Sequence, residues 1–182
     1  RSGNIVHGNA CRIDWSVVCP HAKEEEVFVM GNPPYLGSRR QDAEQKKDME
    51  VLFVKNFGEL DYIACWFLSA ANYIRGTKSK SAFVSTNSIC QGLQVSLLWE
   101  RILRGNLIIS FAYKSFKWTN NAKHNAGVTV IVVGLAMSEN VRNKIIYDGK
   151  QSRKVNNISP LLMDGATIFV KSETSPLCED FP

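Results

Sequence analysis

Apolar and polar positions along this chain switch between two periods, and the switches predict the elements. Val27-Phe28-Val29-Met30 is a short apolar run between a triple-Glu turn at 24–26 and Gly31 with two prolines beyond. That pattern predicts a buried strand ending in a loop. Residues 37–50 are polar and charged, a loop or a short exposed helix. From Asp61 to Arg75 the residues Ile63, Ala64, Phe67, Leu68, Ala71 and Ile74 recur at helical spacing, with Asp61 placed to cap the start and Gly76 to stop it. Ala82-Phe83-Val84-Ser85 reads as a second strand, followed by a helix from about Leu93 to Leu103 with Val95, Leu98, Trp99 and Ile102 on one face and Gly105 beyond its end. Leu107 to Tyr113 and Val128 to Leu135 are the third and fourth strands. No helical period lies between these two, so they are expected to form an antiparallel hairpin at a sheet edge. After Leu135 the signal weakens, and 138–182 reads as a loop, one strand from Ala166 to Val170, and a linker. Strand, helix, strand, helix, strand is the order of an α/β fold with a mainly parallel sheet.

At 182 residues and 45% hydrophobic, the chain has material for one domain with a substantial core, and its 21% charged content is that of a folded protein. No apolar run approaches the roughly 20 residues of a membrane-spanning helix, so neither a membrane nor a secreted reading is favoured. The five cysteines are odd in number and irregular in spacing, which points to a reducing, cytoplasmic setting rather than a disulfide framework. His7, Cys11, Cys19 and His21 are zinc-competent types, but their spacing fits no zinc module, and no metal is expected. The net charge of +5 is unevenly spread: 101–154 carries ten basic residues against Glu139 and Asp148, and the remainder of the chain is slightly acidic. A basic middle favours a polyanionic partner, or else a solvated basic face.

The informative residues are Gly31-Asn32-Pro33-Pro34-Tyr35, at the end of the first strong strand. In open α/β sheets ligands bind beyond the carboxyl ends of strands. Two prolines fix φ and remove two donors, so the turn is stiff. The residue before a proline is held extended, which aims the Asn32 side chain. The Asn32 amide oxygen and the Pro33 carbonyl then form a pair of acceptors beside the flat face of Tyr35. Such a set suits a planar ring or amide that carries an amino group.

Asn-Pro-Pro-Tyr after a hydrophobic strand resembles motif IV of the S-adenosylmethionine-dependent methyltransferases that act on amino groups. The ordered strings GNACRIDW, GNPPYLGSRRQ, LDYIACWFLSAANYI, FVSTNSICQG, FKWTNNAKHNAGVTVIVVGL and ISPLLMDGATIFV are together similar to the MmeI-like family, from about Asn4 to Leu177. These are bacterial single-chain restriction-modification enzymes whose methyltransferase modifies adenine at N6 in DNA. The resemblance implies a partial Rossmann-like class I methyltransferase sheet with an antiparallel C-terminal hairpin. It divides the chain into the C-terminal part of a catalytic domain (1–137) and a trailing segment (138–182) toward a target-recognition domain.

It also implies roles. Asn32 and the Pro33 carbonyl, in a turn completed by Pro34, would accept the hydrogens of the adenine amine, and Tyr35 would stack on the flipped base. Phe116 or Trp118 would pack on the base's other face at motif VIII. Asn9 falls at motif III near the cofactor's adenine, where related enzymes often have Asp, and Asp61-Tyr62 resemble motif V beside the cofactor pocket. Arg39, Arg40, Lys114, Lys117 and Lys123 would meet DNA phosphates at the pocket mouth. The cofactor implied is S-adenosylmethionine and the partner double-stranded DNA. The family's glycine-rich motif I is not found before Gly31. The chain alone is therefore expected to bind the cofactor weakly, and its first strand to leave an edge open to pairing with another copy. Two other readings remain at this point: an enzyme of the same motif acting on a protein glutamine amide or an RNA base, and a nucleic-acid-binding piece without catalysis.

Overall fold

We describe a computed structural model of the chain, in which residues 3–118 and 128–169 are described. Six strands form one sheet: β1 (Phe28–Gly31), β2 (Lys80–Thr86), β3 (Leu107–Trp118), β4 (Val128–Met137), β5 (Lys144–Asp148) and β6 (Gln151–Val155), in the spatial order β1-β2-β4-β3-β5-β6. β1 runs parallel to β2, and β3 to β5; β4 is antiparallel to both β2 and β3, and β6 to β5. The helices are α1 (Trp15–Val18), α2 (Ala43–Phe53), α3 (Ala64–Ile74) and α4, a stretch over 92–102 with a π-helical turn at Val95–Trp99. This is the α/β architecture expected of a partial Rossmann-like methyltransferase sheet, but the sheet is mixed rather than mainly parallel, because β4 and β6 each run against their neighbours.

The expected β3–β4 hairpin forms, but not at an edge. Val130, Ile131, Val133, Leu135 and Ala136 are all buried, so consecutive side chains on both faces of β4 need cover. A strand apolar on both faces belongs inside a sheet, and β4 lies between β2 and β3. The first strand shows the reverse. Read as buried, β1 is an outer strand, and its Phe28 and Met30 are 57% and 76% exposed. Four apolar residues in a row cannot distinguish an interior strand from an edge.

Beyond Met137 the sheet continues across the 137/138 division. The loop expected there contains β5 and β6, joined at Gly149, whose φ of +58° suits the tight turn after Asp148. No strand forms over 166–169, and Val170 lies outside the described residues.

The core sits between the sheet and α3 with α4. Phe67 on α3 meets Phe83 of β2 and Trp99 of α4 edge-on, at centroid distances of 5.3 and 5.8 Å. Ile63, just ahead of α3, and Phe67, Ala71 and Ile74 on it are fully buried, as the helical spacing predicts. Each such large side chain contributes about 1.5–3 kcal/mol. Gly76 (φ +71°) stands just past the end of α3. α2 opens with a reciprocal cap, in which the Asp42 carboxylate accepts from Gln45 N–H and the Gln45 side chain accepts from Asp42 N–H. Among the described residues, no helix is long and apolar enough to cross a membrane.

Candidate functional site

Because β1, β2 and β3 all run in one direction, their carboxyl ends emerge at one side of the sheet. That side gathers Asn32 after β1, Thr86 at the end of β2, and Phe116 and Trp118 at the end of β3. The register sets Gly31 beside Phe83, and Thr86, Val130 and Phe116 in one row across the sheet. Phe116 thus lies three strand spacings, about 14 Å, to the side of β1, in a row three residues beyond that of Gly31.

Along the turn, Asn32 is exposed, Pro33 buried, Pro34 exposed, and Tyr35 half-buried against the core. Neither the Asn32 side chain nor the Pro33 carbonyl has a hydrogen-bond partner among the described residues. One residue past Tyr35 the situation reverses. Leu36 N–H donates to the Asp61 carboxylate at 2.8 Å, while its carbonyl accepts from Tyr62 N–H at 2.9 Å and from the Gln41 amide at 3.1 Å. Gln41 donates again to the Leu60 carbonyl at 2.9 Å.

Asp61 is 5% exposed and wholly engaged by the protein. Its carboxylate also accepts from Ile63 N–H (3.3 Å), just before α3, and from the Ser88 hydroxyl (3.5 Å), which pairs with Thr86 at 2.6 Å. Its own N–H donates to Gln94 at 3.0 Å. The side chain expected beside the cofactor is therefore turned inward, onto the turn.

Asn9 is likewise committed. Its amide donates to Asp48 at 2.9 Å, and its oxygen accepts from Cys11 N–H at 2.9 Å. Asp48 is 3% exposed and also accepts from Tyr62 O–H at 2.7 Å and Arg12 Nε at 2.5 Å. Burial alone would raise the Asp48 pKa, but bonds from Tyr62, Arg12 and Asn9 outweigh it and hold the carboxyl below its usual range. Burial first, and the bond to Asp48 second, push the Tyr62 phenol up. This hub fastens the N-terminal segment to α2 and α3. Between that segment and β1 lies a groove of about 790 Å³, with Gly8, Ala10, Met30, Asn32, Pro33 and Trp66 among its walls.

Phe116 and Trp118 belong to a longer aromatic row. Tyr147 of β5 stacks on Tyr113 (5.6 Å, 8° between planes), Tyr113 meets Phe116 edge-on at 5.1 Å, and Phe116 lies 6.4 Å from Trp118. A bulge between Tyr113 and Phe116 brings these rings to one side. Tyr147 escaped the sequence reading because β5 was not recognised, and Tyr113 was read only as the end of a strand.

Among the expected DNA contacts, Arg39 and Arg40 are exposed on a 3₁₀ turn (Ser38–Arg40), in the same loop as the Asn-Pro-Pro-Tyr turn. Lys117 is exposed, Lys114 pairs with Asp148 at 3.2 Å, and Lys123 lies outside the described residues. His7, Cys11, Cys19 and His21 do not form a metal-binding group: Cys11 is buried, His21 packs at a tilt against Tyr73, and Cys19 is exposed. Among the described residues no group of three or more His, Cys, Asp or Glu side chains could hold a metal.

Residues 1–148 match the family described as the DNA-methyltransferase domain of MmeI. The chain is 49% identical over 180 residues to DNA methyltransferase A of Bacillus subtilis (strain 168), covering 98% of the chain and 20% of that relative. It superposes on the type IIL restriction-modification enzyme MmeI, solved in complex with DNA, with a TM-score of 0.84 and 35% identity, covering 97% of this chain and 24% of that one. The chain thus spans between a fifth and a quarter of the length of the proteins it matches.

Proposed function

The chain belongs to the family of MmeI DNA-methyltransferase domains, and from that membership we propose that it forms the acceptor wall of a site that methylates adenine at N6 in double-stranded DNA. The observation that carries the proposal is a pair of acceptors, the Asn32 amide oxygen and the Pro33 carbonyl, without partners among the described residues at the carboxyl end of β1. An exocyclic amine has two N–H donors, and this turn offers two acceptors. Hydrogen bonds to both draw the nitrogen lone pair out of conjugation with the ring and leave it free to attack.

Tyr35 presents a flat face on one side of the base, and Phe116 or Trp118 on the other. Each stacking contact is worth about 1–3 kcal/mol. To reach them the base leaves the duplex. Arg39 and Arg40, on the same loop as the acceptors, meet the phosphates beside it. Positioning and preorganised dipoles carry the reaction, and no side-chain base is assigned.

Membership implies S-adenosylmethionine as methyl donor. The groove fits such a group in size, within the roughly 300–1,000 Å³ usual for ligand sites, and it opens beside Asn32. When bound there, the cofactor supplies an electrophilic methyl group. Asn32 and Pro33, which line the groove, would hold the amine at its edge. Asn9 and Asp61 hold the walls from behind.

The test is transfer of labelled methyl from S-adenosylmethionine by a protein of the relatives' length that carries this chain. DNA, RNA and protein are offered together, and the products are digested and separated. Label in N6-methyladenine of DNA is the expected result. Label in RNA, or on glutamine of a protein, would reassign the substrate.

A further inference from the structure

We propose that Asp61 and Gln41 are positioning residues that set the Asn-Pro-Pro-Tyr turn, and that Asp61 makes no contact with the cofactor. The inference rests on the function proposed above and adds to it what holds the acceptors in place.

The turn has an unusual distribution of hydrogen bonds. Its acceptors at Asn32 and Pro33 must stay free of the protein to meet an amine, so they cannot be used to fasten it. Pro33 and Pro34 contribute no N–H at all. From Asn32 to Leu36, the fastening therefore falls on Leu36, and there it is complete: the N–H is held by Asp61, and the carbonyl by Tyr62 N–H and Gln41. Asp61 and Gln41 both follow the turn in sequence, 25 and 5 residues after Leu36, and hold different backbone groups of it. Both side chains are buried, at 5% and 8% exposure.

The same carboxylate oxygen that holds Leu36 also takes Ile63 N–H at the mouth of α3, and the other oxygen takes Ser88. Gln94, from the first turn of α4, holds the backbone of Asp61 in turn. The segment after β2 and the start of α3 thus converge with the turn on one carboxylate, while the start of α4 holds the backbone of the same residue. With three donors on its carboxylate and 5% exposure, Asp61 is turned toward the turn, and it is not among the groove's walls.

The consequence is a division between affinity and rate. A loose turn misplaces two acceptors by a fraction of an ångström while leaving the groove intact, and misplacement on the order of 1 Å can cost about 10²-fold in rate. The experiment compares wild type, Asp61→Ala, Asp61→Asn, Gln41→Ala and Asn32→Ala in the full-length protein. It measures cofactor affinity by equilibrium titration, single-turnover methyl transfer to DNA at saturating cofactor, and thermal unfolding.

The expected result is a rate loss of about 10²-fold for Asp61→Ala and about 10-fold for Gln41→Ala, with cofactor affinity within about threefold of wild type. Asp61→Asn keeps an oxygen for Leu36 N–H and should recover most of the rate. If Asp61→Ala does not fold, the Gln41 and Asp61→Asn variants still decide the matter. A loss of cofactor affinity in Asp61→Ala, with the rate restored by excess cofactor, would overturn the proposal, as would wild-type rates in both alanine variants. Asn32→Ala separates the two claims: if it transfers methyl at the wild-type rate, the functional reading fails, whatever the Asp61 variants do.

Discussion

The two ends of a five-residue segment are built on opposite rules. Among the described residues the Asn32 side chain and the Pro33 carbonyl have no partner, and Asn32 is exposed; at Leu36 both backbone groups are held, by Asp61, Gln41 and Tyr62. A buried polar group left unpaired costs about 1–3 kcal/mol, so scaffolding is saturated as a rule. A site that must bind an amine needs the reverse. The contrast extends to the rest of the molecule. Asp48, with its bonds from Asn9, Arg12 and Tyr62, belongs with the saturated end, while the aromatic row from Tyr147 to Trp118 belongs with the open end. Substitutions at saturated places should lower stability, and substitutions at open places should lower activity alone.

The harshest test of the saturated side is Gly134. A Cβ there would lie 2.1 Å from the Phe111 ring, so the ring must leave its place over β4. Gly134→Val should destabilise the fold by about 3 kcal/mol, the upper end for overpacking, measurable as a fall in the urea midpoint. Next is Asp48→Ala, which leaves Tyr62 and Asn9 without their acceptor and should cost about 2 kcal/mol. It also carries a pH signature. The Asp48 carboxyl is held below its ordinary value of 3.8 in the fold. Its contribution is therefore present in full above about pH 4 and is lost as the pH falls through the lower folded value. Acid unfolding of the Asp48→Ala variant should be correspondingly flatter, and an unchanged acid limb would remove Asp48 from the saturated group.

On the open side, Phe116→Ala and Trp118→Ala should differ. The ring that stacks on the base should cost about 10- to 100-fold in methyl transfer, from a contact of about 1–3 kcal/mol. Trp118, 40% exposed, should change stability by no more than about 0.5 kcal/mol. Equal losses in both variants would mean that the row acts as one platform. The smallest effect concerns the outer edge of β1, where Phe28 and Met30 are exposed. The 182-residue chain by itself should self-associate at high concentration, and Met30→Lys should reduce that in light scattering.

How much of this was legible in the sequence follows the same contrast. The acceptor turn could be read directly, because Asn-Pro-Pro-Tyr carries its geometry in covalent restrictions on neighbouring residues. The helix over 61–75 and the strand at 82–85 were legible from period alone. The brace was not: Leu36 and Asp61 are 25 residues apart, and nothing local marks their bond. Asp61 was noticed for its place ahead of a helix, and the structure adds the turn it holds. Asn9 was noticed for its position in a motif, and its two side-chain bonds are set by Asp48, 39 residues away. The β5–β6 hairpin was missed because β6 is Gln-Ser-Arg-Lys-Val, a polar outer strand without an alternating apolar face. Only the Asp148-Gly149 turn signalled it. With β5 went Tyr147, the far end of the aromatic row.

The central claim is that the open end of the turn does chemistry and no scaffolding. The most direct measurement is a paired one on Asn32→Ala in the full-length protein: single-turnover methyl transfer to adenine in DNA, and the thermal midpoint. The account predicts a rate about 10²–10³-fold below wild type, the usual consequence of removing one preorganised polar group, with the midpoint unchanged. A rate close to wild type, or a midpoint that falls together with the rate, would contradict it.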